Sequence, residues 1–252
     1  MVFPPARGIF PPPMTAWQLL AATSIIAMGA LLQGTVGFGL GLFSAPLLLL
    51  IDPRLVPGPI LCASGLLTLL LARRDWHGVQ GADLRWALGG RVVGTLPAMA
   101  AMAWLSNDLL DVLFGALVLF GVVLTASGRH PRPGPRTLLG AGFLSGFMGT
   151  TTSIGGPPMA LLYAGETGPR LRGTLSAFFV VGVALSVSAL IVVGRFGLTE
   201  LQLGASLFPG IVAGFLASRR PAAALDRGPL RPAVLAVATL AGLTVIVKNL
   251  LS

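Results

Sequence analysis

Charge is almost absent from the long stretches of this sequence. Eight apolar runs, approximately 16–51, 55–72, 84–104, 108–127, 138–164, 174–194, 201–218 and 231–250, follow one another, and nearly all charged residues fall between them. A bilayer-spanning helix needs about 20 apolar residues, and six runs have about that length. The first and fifth are longer. A single helix over 16–51 would be about 54 Å long, against a hydrocarbon core of about 30 Å. Each long run must therefore break or fold back. Charged residues make up 10% of the chain, where a soluble domain has roughly 25%. So few cannot cover a water-exposed surface, and the chain reads as an all-α polytopic membrane protein.

The net charge of +9 does not point to nucleic acid. The arginines sit in short loops between apolar runs, the pattern of cytoplasmic loops in membrane proteins. The single cysteine, Cys62, lies in an apolar run and cannot form an intrachain disulfide. His77 and His130 read as solvated loop residues. Residues 1–15 read as an irregular tail, because their crowded prolines forbid the helical core of a signal peptide. Trp17, Trp76, Trp86 and Trp104 fall near span ends, where an interfacial belt is expected.

An internal repeat divides the chain into 16–130 and 131–252. Leu32-Gln33-Gly34-Thr35-Val36-Gly37 overlies Leu144-Ser145-Gly146-Phe147-Met148-Gly149 at an offset of 112, which also brings Pro46 onto Pro158. Gly90-Arg91-Val92-Val93-Gly94 overlies Gly210-Ile211-Val212-Ala213-Gly214 at an offset of 120. Placing the arginine-rich loops 73–85, 129–136, 170–172 and 219–231 in the cytoplasm puts 12 basic residues inside and 4 outside, with Arg91 within a span. Loops 129–136 and 170–172 then share a side, so the run between them is a hairpin, crossing twice or re-entrant. Equivalent loops of the halves fall on opposite sides. The expected fold is two inverted repeats, each a helical hairpin plus three transmembrane helices, an architecture common in secondary transporters.

The expected breaks are Gln33–Gly41 and Gly146–Pro158. Irregular backbone at membrane depth is tolerated only where it is buried in protein or lines a wet cavity. Gln33, Gly34, Thr35, Gly37, Phe38 and Gly39 at the first break, and Gly149, Thr150, Thr151, Thr152, Ser153, Gly155, Gly156 and Pro157 at the second, are the candidate site. Free N–H groups at helix starts attract anions, and four successive hydroxyls add donors, so an oxyanion cradle without metal or cofactor is expected. The glycines serve either that cradle or close helix packing, and the hydroxyls either a guest or the preceding turn. Phe38 and Phe147 flank the breaks as gate or packing residues.

Gly34-Thr35-Val36-Gly37-Phe38-Gly39 followed by Pro46, together with Ser145-Gly146-Phe147-Met148-Gly149-Thr150-Thr151-Thr152-Ser153-Ile154-Gly155-Gly156-Pro157-Pro158, resembles the sulfite exporter TauE/SafE family. The resemblance covers nearly the whole chain, and the second motif is the more specific. It implies a two-halved transporter of sulfite, a sulfonate or a related small organic anion in the inner membrane of a bacterial cell.

Arg91 is a charge inside a span, where it pairs with a substrate or snorkels to the interface. Every carboxylate lies in a loop or at a span end, so no proton relay through buried acids is expected. The chain carries no HExxH, no paired intramembrane aspartates and no Ser–His pair at membrane depth, which argues against an enzyme. The partners expected are a small anion and the lipid bilayer, with a channel as the alternative mechanism and a homodimer left open.

Overall fold

The computed structural model describes residues 14–128, 131–163, 165–166, 168–219, 235–236, 238–244 and 247, without the side chains of 82 and 83. The expectations for residues 1–13 of the tail, Arg129, His130, the arginines at 220–231, Asp226 and Lys248 lie outside the described residues.

Ten α-helices have described bounds, residues 235–236, 238–244 and 247 are also helical, and no strand occurs among the described residues. Helix α1, Ala16–Val36, starts at a capping box in which Thr15 and Gln18 satisfy one another's amides. It stops at Gly37, whose φ of 93° is left-handed, and the chain re-enters helix after Gly39, φ 126°. Only glycine takes such angles without strain. Helix α2, Leu40–Ile51, returns from there. The second hairpin repeats this form. Helix α6, Pro135–Thr152, opens on a proline in its first turn. It ends at Ser153, the one described non-glycine residue with positive φ, at 64°. Helix α7, Gly156–Leu162, follows, its start fixed by Pro157 and Pro158. Both long runs therefore break, but more narrowly than expected: Gln33–Val36 and Gly146–Thr152 are helical.

Helices α3 (Gly58–Arg74), α4 (Gly81–Trp104) and α5 (Asn107–Ala126) complete the first half. In the second, α8 (Gly168–Val192) is followed by α9 (Leu198–Ser206) and α10 (Phe208–Ala217). The last two form one apolar rod with a turn at Leu207, where Pro209 cannot donate back to residue 205. The segments 16–36, 107–126, 168–192 and 198–217 are long and apolar enough to cross a membrane. Leu20, Leu69, Val93, Leu96, Val123 and Val192 face outward, as lipid-facing residues do. Trp17, Trp76, Trp86 and Trp104 are all exposed as well.

The halves pack by exchange. Helix α4 of the first lies along α6 of the second, α10 of the second along α1 of the first, and α3 against α8. Glycines set the first two contacts. Gly90 and Gly94 lie against the carbonyls of Leu139 and Phe143, and Gly210 and Gly214 against those of Thr23 and Ala27, leaving no room for a side chain. In both pairs the helices run parallel. Helices α3 and α8 run antiparallel: Asp75 meets Arg172 and Gly65 meets Val183.

These contacts place the two hairpins in correspondence at a different offset. Thr23 and Leu139, Ala27 and Phe143, and the left-handed Gly37 and Ser153 are each 116 residues apart (153 less 37). Thr35 bonds the carbonyls of Leu31 and Leu32, and Thr151 those of Phe147 and Met148, again 116 apart. The offset of 112 matched glycines one helical turn out of step.

Candidate anion-binding site

The two tips meet. A side chain at Gly41 would strike the Ser153 carbonyl, and Phe38 covers Gly156. Between them is a small, partly open hollow. Its walls include four pairs spaced 116 residues apart: Gln33 with Gly149, Phe38 with Ile154, Gly39 with Gly155 and Gly41 with Pro157. Leu42, Ser153 and Gly156 join them, Leu61 and Ser64 come from α3, and Phe179 and Val183 from α8. The remaining wall residue, Arg91, is the only charged one.

Arg91 has no counterpart in the symmetry, since Ile211 stands at the matching place on α10. Helix α4 begins at Gly81, about 15 Å before Arg91 at 1.5 Å per residue. The side chain is 2% exposed and does not snorkel. Nη1 donates to Ser145 Oγ at 2.7 Å, and Nη2 to the Gly182 carbonyl and Ser186 Oγ, both at 3.1 Å. The guanidinium carbon lies 5.5 Å from the Phe178 ring centroid, a cation–π distance. Three glycines make the slot. A Cβ at Gly149 would stand 2.8 Å from Nη2, one at Gly155 2.8 Å from Nη1, and one at Gly182 2.7 Å from Cζ. Every bond it makes is to a neutral group. Nε is buried with no partner, and no carboxylate among the described residues forms an ion pair with Arg91.

Nine of the expected site residues line this hollow: Gln33, Phe38, Gly39, Arg91, Gly149, Ser153, Gly155, Gly156 and Pro157. The other six lie outside it. The Gly34 carbonyl accepts from Arg74 Nη2 at 2.7 Å, and its α-carbon abuts Ser218. Gly37 is a turn residue against Leu171 and Arg172. Thr35 and Thr151 bond back along their helices, as does Thr152, to the Met148 carbonyl at 2.7 Å. Thr150 shares a hydrogen bond of 2.8 Å with Ser186. The hydroxyl run is helical, so helix carbonyls and a neighbouring helix satisfy it. Ser153, too, donates to the Pro57 carbonyl at 3.0 Å. At the start of α2 the Leu40 amide is taken by Gln33 Oε1 at 3.3 Å. The cradle of amides and hydroxyls thus gives way to a seated cation. Phe147 is not part of the lining.

Sequence reading missed Ser145, Gly182 and Ser186, which hold the guanidinium. Their signal is spacing: Ser145-x-x-x-Gly149 on α6 and Gly182-x-x-x-Ser186 on α8 are small-residue stripes, placed to receive a bulky polar group from α4.

Over residues 21–245 the sequence matches the family described as Sulfite exporter TauE/SafE. The chain belongs to the sulfite exporter TauE/SafE family. Neither a curated protein nor a solved structure gives a match. As a TauE/SafE protein with several membrane-crossing helices it is a multi-pass membrane protein, of a family that transports sulfite-type anions.

Proposed function

We propose that this chain is a secondary transporter that exports a small anion, sulfite or an organic sulfonate, across the inner membrane of a bacterial cell. The hollow between the hairpin tips is its substrate site and Arg91 the fixed countercharge. One observation carries this: Arg91 lines the hollow, its guanidinium is buried with Nε unpartnered, and no carboxylate among the described residues pairs with it. An ion removed from water costs several kcal/mol unless a countercharge is close, and intramembrane arginines mark substrate paths. An oxyanion completes the pairing through charge-assisted hydrogen bonds.

Alternating access of two inverted repeats is the matching mechanism. The antiparallel packing of α3 on α8, their equivalent place in the halves, and the exchange of α4–α6 for α1–α10 support it. So does the placement of the tips on α3. The end of α1 is tied to Arg74 at the helix's end, and the end of α6 to Pro57 at its start. With the arginine-rich loops inside, the membrane potential drives a monovalent anion outward by about 2.3 kcal/mol per 100 mV.

The test is flux and counterflow of sulfite in proteoliposomes. Arg91→Gln is expected to lower anion affinity by at least about 100-fold while the protein stays folded in detergent. Unchanged saturable flux in that variant would sink the assignment. Conductance steps in a planar bilayer would replace the carrier with a channel.

A further inference from the structure

We infer that the hollow accepts its guest only as a singly charged anion, so that sulfite crosses as hydrogen sulfite and brings its own proton. This rests on the anion-transport reading above and adds the charge state of the substrate.

The argument is a count of charge at the site. Arg91 is the only charged residue in the lining. The elements packed around it face it with neutral groups: Ser145 and Gly149 from α6, Gly155 from the second tip, and Phe178, Gly182 and Ser186 from α8. Helix α3 contributes Leu61 and Ser64, and its Cys62 packs against Gly204 on α9. The other described ions with known partners sit at helix ends. Arg74 and Arg172 pair with Asp75 beside the start of α8, Arg54 pairs with Asp52 after α2, and Arg195 bonds the Met102 carbonyl. No lining side chain can take up or release a proton near neutral pH.

One fixed positive charge neutralises one negative charge. A monoanion makes a neutral pair. A dianion leaves a net negative charge that no second cation in the lining offsets, the situation that costs most in a low dielectric. The preference for the monoanion is therefore expected to be on the order of 100-fold. Sulfite at neutral pH is a mixture of SO₃²⁻ and HSO₃⁻. Protonation on the entry side gives HSO₃⁻, that ion crosses, and the proton leaves to water on the far side. One proton moves with each sulfur, carried on the substrate oxygen, and no carboxylate of the protein takes part. Sulfonates and carboxylates have one charge already and carry no proton.

The experiment uses the full chain in proteoliposomes at clamped voltage and constant total sulfite, with pH varied equally on both sides. Sulfite flux is expected to fall about tenfold per pH unit above the second ionisation of sulfurous acid. Methanesulfonate flux at the same pH values, the control for pH effects on the protein, is expected to stay flat, and sulfate should not compete. Sulfite flux that holds or rises with pH, or sulfate competing as well as methanesulfonate, would overturn the inference and leave the transport reading standing. If neither sulfite nor methanesulfonate moves at any pH, the transport reading falls and takes the inference with it.

Discussion

Four residues before the left-handed turn of the first tip stands Gln33; at the same place in the second stands Gly149. On α4 Arg91 reaches the second tip, and at its matching place on α10 stands the buried Ile211. The backbones agree closely, from the back-bonded threonine to the turn itself. At the first tip a glutamine occupies the space and caps the start of α2. At the second tip that space is emptied to glycine and filled from α4 by a guanidinium. The two hairpins thus share a backbone geometry, and the charge sits at one tip. The division also follows the helix spacing. Where α6 has Gly142 and Gly146 lying on the Ala87 and Arg91 carbonyls, the matching residues of α1 are Ile26 and Ala30, both fully buried. Glycines from both helices let α4 press onto α6, and that approach brings Arg91 to its slot.

The largest effect should come from that approach. In Gly146→Ala the new methyl meets the Arg91 carbonyl and the backbone of Gly94 and Thr95, none of which can turn aside. Overpacking of this kind costs roughly 1–3 kcal/mol, and backbone neighbours place it at the upper end. Ala30→Gly, the matching change in the first half, is expected to cost about 1 kcal/mol or less. Thermal unfolding in detergent compares them, and equal losses would mean the two interfaces are not distinguished by glycine.

Gly149→Ala comes next and separates site from scaffold. The three atoms nearest its methyl all belong to the Arg91 guanidinium, the far end of a flexible side chain, so the fold should survive. Arg91 then loses its seat. Anion affinity is expected to fall by about 10- to 100-fold, the worth of one hydrogen bond to a charged group, with little change in melting temperature. Thermal shift against sulfite reads both at once. A loss of stability without a loss of affinity would make Gly149 a packing residue.

Much of this arrangement is legible in the sequence. Length alone breaks the first run, and Gly37, Gly39, Pro157 and Pro158 mark where the chain turns. The lone intramembrane Arg91 stands out because everything around it is apolar. The repeat register does not come through, and for a physical reason. A shift of four residues keeps a helix on the same face, so the spaced glycines Gly34 and Gly37 match Gly146 and Gly149 as readily as they match their true partners one turn on. The hydroxyl run misleads for a related reason. Thr151 and Thr152 bond carbonyls of their own helix, and nothing in the sequence tells whether that helix continues to Thr152 or stops at Gly149.

Gln33 gives a smaller effect and tests whether the first tip is structural. Gln33→Ala removes the acceptor of the Leu40 amide and is expected to cost about 1 kcal/mol, the typical worth of a helix cap. Sulfite affinity should change by no more than a few-fold, since the charge is across the hollow. An affinity loss as large as that of Gly149→Ala would mean that both tips bind the anion and that the asymmetry argued here is wrong.

The smallest effect concerns how the hairpins close. Helix α2 has 12 residues against 7 in α7, and its end is held in the following loop by Asp52, which accepts from Arg54 Nη2 and Nε and from the Arg54 amide. The side-chain hydrogen bonds from Arg54 hold the Asp52 carboxyl below its ordinary value, against the opposing pull of burial. A carboxylate whose folded value is depressed stabilises the fold above its unfolded value. That contribution disappears as pH falls through the folded one. Arg54 is 35% exposed, so screening limits the pair to under about 1 kcal/mol. Asp52→Asn should therefore lower the melting temperature slightly at pH 7. At a pH well under the unfolded value of about 3.9, wild type and variant should converge. An equal deficit at both pH values would show that the Asp52 carboxylate contributes through shape alone.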